Sequence, residues 1–115
     1  VTSLTAPSTN SLLFVADRPF GSGVATRELL EMMLSAAAFN LETALLLRGA
    51  GLSWLHAPEC LERLEELPLY GADTLYVSRD ELSVWGNPAL PDIFTSVSGD
   101  EIRKLYRQHG RVIQP

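Results

Sequence analysis

Four places in this chain combine residue types and spacings that can do chemistry. The first is FGSG, residues 20–23, which joins an apolar run, Leu12 to Ala16, to a stretch rich in leucine and alanine. Its glycines permit a tight turn, and a loop that opens a helix leaves backbone N–H groups free to hold an anion. It matches neither GxxxxGK[ST] nor GxGxxG, so a flexible connection and an anion-tolerant loop both stay open. The second is His56 with Cys60, four residues apart, where Cys60 falls in the first turn of a helix starting at Pro58, a position that favours a thiolate. Pro58 separates the two, so His56 precedes the helix and the same-face relation of i and i+4 is lost. A buried structural cysteine and a nucleophile are the two readings of Cys60. The third is Ser78, which closes an apolar run and begins SRDE. Ser78 and Glu81 stand at capping-box spacing, which sets the serine where a strand becomes a helix. FGSG and SRDE together suggest a stand-alone small-anion module as a further reading. The fourth, Asp17 with Arg18, reads as a loop ion pair or a solvated dipeptide. No Ser-His-Asp set can be assembled, because nothing places His56 or His109 beside a particular serine.

Composition narrows the classes. The chain has 115 residues, 46% apolar and 20% charged, which fits one soluble domain able to bury its own core. A net charge of −5 argues against wrapping a phosphate backbone, since that affinity comes from clustered Lys and Arg. Arg103, Lys104 and Arg107 share a segment with Asp100 and Glu101 and read as a solvated helix face. One cysteine and two histidines are too few soft ligands for a typical zinc site, and neither a metal nor a cofactor is expected. No apolar run approaches the roughly 20 residues that cross a bilayer. The first ten residues, VTSLTAPSTN, read as a flexible leader to a domain over 11–115, and a cytoplasmic location is expected.

The elements that must position these groups alternate. Leu12–Ala16 reads as a strand covered on both faces, Val24–Phe39 as a helix with Leu29, Met33, Ala36 and Ala37 on its apolar stripe, and Thr43–Leu47 as a second strand ended by the turn GAG, 49–51. Pro58 starts a short helix closed by Pro68. Thr74–Val77 is a third strand, followed by a helix capped by Ser78. Phe94–Val97 is a fourth strand, followed by a helix capped by Ser98 with Glu101 and ended by Gly110; residues 111–114 supply a fifth strand. Strands alternating with helices through brief connections predict an α/β fold: a small doubly wound, mostly parallel five-stranded sheet with helices on both faces. Ligands then belong at the carboxyl ends of the strands, residues 17–23, 48–54, 78–80 and 98–100. Trp54 and Trp85 read either as core or as interface anchors, as do Leu69 and Tyr70.

With these elements placed, the chain resembles the DsrE/DsrF-like sulfur-relay proteins, in particular the TusC/DsrF branch. The resemblance lies in the apolar strand followed by Pro19 and Gly21, in Arg27–Glu28 on an alanine-rich helix with Ser35 to Ala38, in the strand Ala44 to Leu47, and in the turn Gly51 to Leu55. It continues through residues 67–87 and runs from about Leu12 to Ile113, nearly the whole chain. It implies a DsrE-like fold. In the family's sulfur-carrying subunits a persulfide cysteine closes the third strand, with a glycine eight residues on; here Ser78 and Gly86 hold those positions. A hydroxyl does not carry transferable sulfur as a thiolate does. The resemblance therefore implies a non-carrier, scaffolding subunit without catalysis of its own, with Cys60 as an alternative nucleophile for direct sulfurtransfer. It further implies TusB-like and TusD-like (DsrH- and DsrE-like) partners in a dimer of heterotrimers. Such a complex serves 2-thiolation of a tRNA wobble uridine, linking this chain to tRNA only indirectly, or sulfur trafficking in sulfur-oxidising bacteria. Pro19, Phe20, Gly21, Ser22, Ser78 and Arg79 are the expected pocket wall; Trp54, Leu69, Tyr70 and Trp85 are the expected contacts.

Overall fold

The structure, a computed structural model, describes residues 8–19, 24–72 and 74–114. Five strands form one sheet: β1 (Ser8–Ala16), β2 (Glu42–Leu47), β3 (Thr74–Ser78), β4 (Phe94–Val97) and β5 (His109–Ile113). Their order is β4-β3-β2-β1-β5, and every neighbouring pair is parallel. The chain thus steps outward from β1 to β4, then returns to the far side of β1, the doubly wound plan expected of alternating strands and helices. β1 begins at Ser8, four residues before the apolar run at Leu12.

Alternation along the strands divides the core into two layers. Phe14, Ala16, Leu45, Leu47, Leu75 and Val77 face one side, under α1 (Val24–Ala38) and α2 (Pro58–Glu66). Leu13, Val15, Ala44, Leu46 and Val97 face the other, under α3 (Gly99–Gln108). Both faces of β1 and β2 are covered, which is why those strands read as unbroken apolar runs. In α1 the buried Leu29, Leu30, Met33, Ala36 and Ala37 recur at helical spacing, with Arg27, Glu28 and Glu31 outside. Among the described residues no helix is long and apolar enough to cross a membrane.

Three local expectations fail, each for a stated reason. The residues after β3 do not form an α-helix capped by Ser78. Arg79–Trp85 wind as a 3-10 segment, and the Ser78 side chain makes no cap hydrogen bond. Glu81, the other half of the expected box, instead accepts from the backbone N–H of Gly49 at 3.0 Å, so a tertiary contact takes the carboxylate that a local cap would have used. Gly110 does not end the last helix. α3 stops at Gln108 and Gly110 lies within β5, where its N–H donates to Ser11 Oγ at 3.0 Å. The turn expected at 49–51 opens a longer 3-10 run, Gly49–His56. By contrast the box at Ser98 forms: Glu101 N–H donates to Ser98 Oγ at 3.3 Å, and Ser98 N–H to Glu101 Oε1 at 3.0 Å. Those bonds from Ser98 hold the Glu101 carboxyl below the usual range.

Two glycines fix how the 49–56 run leaves β2. Gly49 has φ +54, a left-handed conformation that a side chain strains. At Gly51 a Cβ would stand 1.8 Å from the carbonyl oxygen of Ala16, so only glycine lets this run pass so close to the end of β1. The path carries Trp54 inward, 1% exposed, with its Nε1 donating to the carbonyl of Arg18 at 2.7 Å.

Candidate functional site

Parallel register sets two side chains together. Leu47 of β2 is paired with Val77 of β3, so the next residues, Arg48 and Ser78, end adjacent strands side by side. Both follow the alternation that turns Leu46 and Tyr76 toward α3. There they line a cleft of about 280 Å³ with Asp80, Glu81, Gly99, Ile102, Arg103 and Tyr106. The cleft thus lies at the carboxyl ends of β2, β3 and β4, where doubly wound sheets place their ligands.

Each wall is held by a named contact. Arg48 Nη1 donates to Tyr106 Oη at 3.0 Å, joining the end of β2 to α3. Glu81 accepts from Gly49 N–H, and Asp80 Oδ2 accepts from Gly99 N–H at 3.3 Å, so both carboxylates are tied to backbone amides. Asp80 thereby places a negative charge at the start of α3, where a helix favours one. Arg103 pairs with Asp100, and Arg79 with Glu101 at 3.4 Å, both on the exposed rim. Ser78 is 3% exposed and its hydroxyl is not spent on a cap.

The cysteine is elsewhere. Cys60 is fully buried between α2 and the sheet, and burial pushes its thiol up to about 12, only partly offset by the nearby Arg63 charge. His56 Nε2–H donates to the carbonyl of Trp85 at 2.8 Å, and the two rings lie 6.4 Å apart, so the histidine serves that contact. Asp17 and Arg18 do not act as a unit: Asp17 accepts from Gln114 Nε2, and Arg18 offers its carbonyl to Trp54.

Of the residues expected at the site, Ser78 lines the cleft, whereas Arg79 does not line it and is exposed and paired with Glu101. Pro19 is exposed at the end of β1, and Phe20, Gly21 and Ser22 lie outside the described residues. Trp54 is core, because the glycine-dependent path of 49–56 turns it inward. Trp85 is half-buried against the same core, whereas Leu69 and Tyr70 are 82% and 59% exposed. Arg48 and Tyr106 belong to the site although neither was singled out from the sequence. The signal for Arg48 was its place immediately after a buried strand; Tyr106 needs the fold, since 58 residues separate it from Arg48. A larger cavity of about 570 Å³ lies at the opposite, amino ends of the strands, among Thr43, Thr74, Tyr76 and His109. It meets no strand carboxyl end, and the smaller cleft is the better candidate for chemistry. Among the described residues no three His, Cys, Asp or Glu side chains gather to hold a metal ion.

Compared as a structure, the chain superposes on the YchN protein of E. coli with a TM-score of 0.75 at 16% identity, over 91% of this chain and 98% of that one. The fold is DsrE-like. A conserved protein of unknown function from Bacteroides thetaiotaomicron, BT1422, matches at TM-score 0.75 and 12% identity, over 99% of this chain and 100% of that one. At such identities the likeness speaks for the fold alone. Compared by sequence, the chain matches no family model and no curated protein.

Proposed function

We propose that this protein is a non-carrier subunit of an intracellular sulfur-relay complex of the TusBCD or DsrEFH type. It shapes and shields a transfer site whose reactive sulfur comes from a related chain. The observation that carries the reading is Ser78: a hydroxyl stands at the end of β3, inside the cleft, where the resemblance puts the persulfide cysteine of the carrier subunits. Oxygen there leaves the chain able to frame a transfer and unable to hold the sulfur. The DsrE-like fold supports the sulfur-relay class, and the TusC/DsrF assignment rests on the motifs around Pro19, Arg27–Glu28 and Gly51–Leu55.

The partners are TusB-like and TusD-like chains in a dimer of heterotrimers, located in the cytoplasm, and the sulfur goes to 2-thiolation of a tRNA wobble uridine. The chain's acidity supports a subunit that meets proteins before RNA. Leu69 and Tyr70, exposed on the 3-10 turn after α2, supply apolar surface for such contacts. Burial of Cys60 counts against direct sulfurtransfer through that thiol, which would have to ionise to attack.

The test is isolation of the native chain with its partners, followed by incubation of the separated chain with a cysteine desulfurase and cysteine. Co-purification with small related α/β chains, and no added sulfur on this one by mass spectrometry, is the expected outcome. A persulfide on Cys60, lost in Cys60→Ser, would replace this reading with direct sulfurtransfer.

A further inference from the structure

Arg48 is the unusual charge of the cleft. Its guanidinium offers five N–H donors. Among the described residues, one of them is used, on the neutral phenol oxygen of Tyr106, and no carboxylate comes within ion-pairing distance. The cations nearby are committed: Arg103 to Asp100 and Arg79 to Glu101. The acids facing the cleft, Asp80 and Glu81, are committed to the amides of Gly99 and Gly49. Asp80 already occupies the start of α3, so that helix terminus is closed to a ligand. What remains is a half-buried arginine without an ion-pair partner, beside a serine hydroxyl that makes no cap hydrogen bond, in a space of about 280 Å³.

A partly desolvated cation lacking an anion is costly, and a small anion relieves that cost through charge-assisted bonds to the guanidinium fork. Ser78, at the next strand end, adds a donor to the same ligand. Asp80 and Glu81 limit the guest, because a large or highly charged anion would meet both carboxylates.

We propose that Arg48 and Ser78 form a binding subsite for one small oxyanion at the carboxyl ends of β2 and β3, with Tyr106 as the positioning residue that holds the guanidinium toward the cleft. The subsite stands on the geometry of the cleft. Only a preference for thiosulfate, which carries transferable sulfane sulfur, over sulfate rests on the relay reading.

The probes are sodium thiosulfate and sodium sulfate, titrated at low chloride and followed by amide chemical shifts and calorimetry on the whole chain. Saturable binding is expected, with shifts at Arg48, Gly49, Ser78 and Tyr106. Affinity should fall at least about tenfold in Arg48→Gln and less in Arg48→Lys, which keeps the charge but loses the fork. Tyr106→Phe should weaken binding less than Arg48→Gln, because the charge stays but is no longer held toward the cleft, and native chemical-shift dispersion shows that each variant is folded. No saturable binding, or equal binding by folded Arg48→Gln, overturns the subsite. Equal affinity for both salts, lost in Arg48→Gln, upholds the subsite and counts against the relay reading. Co-purification with partners by a chain that binds neither salt does the reverse.

Discussion

Arg48 and Tyr106 meet across 3.0 Å, from the end of β2 to the body of α3. The contact joins the sheet's carboxyl edge to the body of α3 inside the cleft, beside the Asp80 bond to the Gly99 amide at the start of that helix. A hydrogen bond from a charged donor adds about 1.5 to 3 kcal/mol to stability, and a half-buried pair belongs at the low end. Tyr106→Phe keeps the ring, which packs against the core layer under α3. Urea unfolding should therefore show a loss of about 1.5 kcal/mol; a loss several times larger would mean that the ring had moved.

Gly51 is the tighter constraint. Any Cβ there meets backbone, the carbonyl of Ala16 at 1.8 Å, and backbone cannot swing aside as a side chain can. Gly51→Ala should cost about 2 to 3 kcal/mol, by the ordinary scale of overpacking. The damage should spread to Trp54, whose bond to the Arg18 carbonyl depends on the same path, and be read as a red shift of tryptophan emission. Unchanged unfolding midpoint and emission would show that the 49–56 run tolerates a side chain.

Cys60 gives a pH dependence whose sign follows from burial. Its thiol rises from the ordinary 9.0 to about 12 in the folded chain, so between those values the unfolded chain releases a proton that the native chain keeps. Stability from this group is complete below pH 9 and falls as pH climbs toward 12, at up to about 1.4 kcal/mol per pH unit. At pH 8 the native thiol should resist alkylation that the urea-unfolded chain undergoes readily. In Cys60→Ala the alkaline slope should flatten. Labelling of native and unfolded chains at one rate would place the thiol at the surface.

Periodicity and turn chemistry made most of the fold legible. Alternating apolar runs and helical stripes located every strand and α1 through α3, because those elements are specified by which faces they bury. The box at Ser98 was readable for the same local reason. Its twin at Ser78 was not: Glu81 is claimed by Gly49, 32 residues away, and no local rule anticipates that choice. The site divides along the same line. Ser78 could be found as a strand end, but the pairing of Arg48 with Tyr106 arises only when the sheet is assembled and α3 is laid across it. Trp54 stayed open between core and interface for a related reason, since its burial depends on Gly51 passing β1 without a Cβ.

Restoring sulfur at the end of β3 tests the proposed role directly. Ser78→Cys changes one atom in a cleft that already contains a guanidinium in no ion pair, and a neighbouring cation favours a thiolate against the burial that opposes it. The introduced thiolate can attack the terminal sulfur of a desulfurase persulfide. One S–S bond forms, another breaks, the desulfurase thiolate leaves, and no net oxidation occurs. After incubation with desulfurase and cysteine, the variant should gain one reducible sulfur atom on the new residue, while the parent chain gains none. Adding Arg48→Gln should slow the gain by raising the thiol's pKa. If Ser78→Cys stays unmodified in a folded chain that its partners still bind, the end of β3 is not a sulfur-carrying position in this protein.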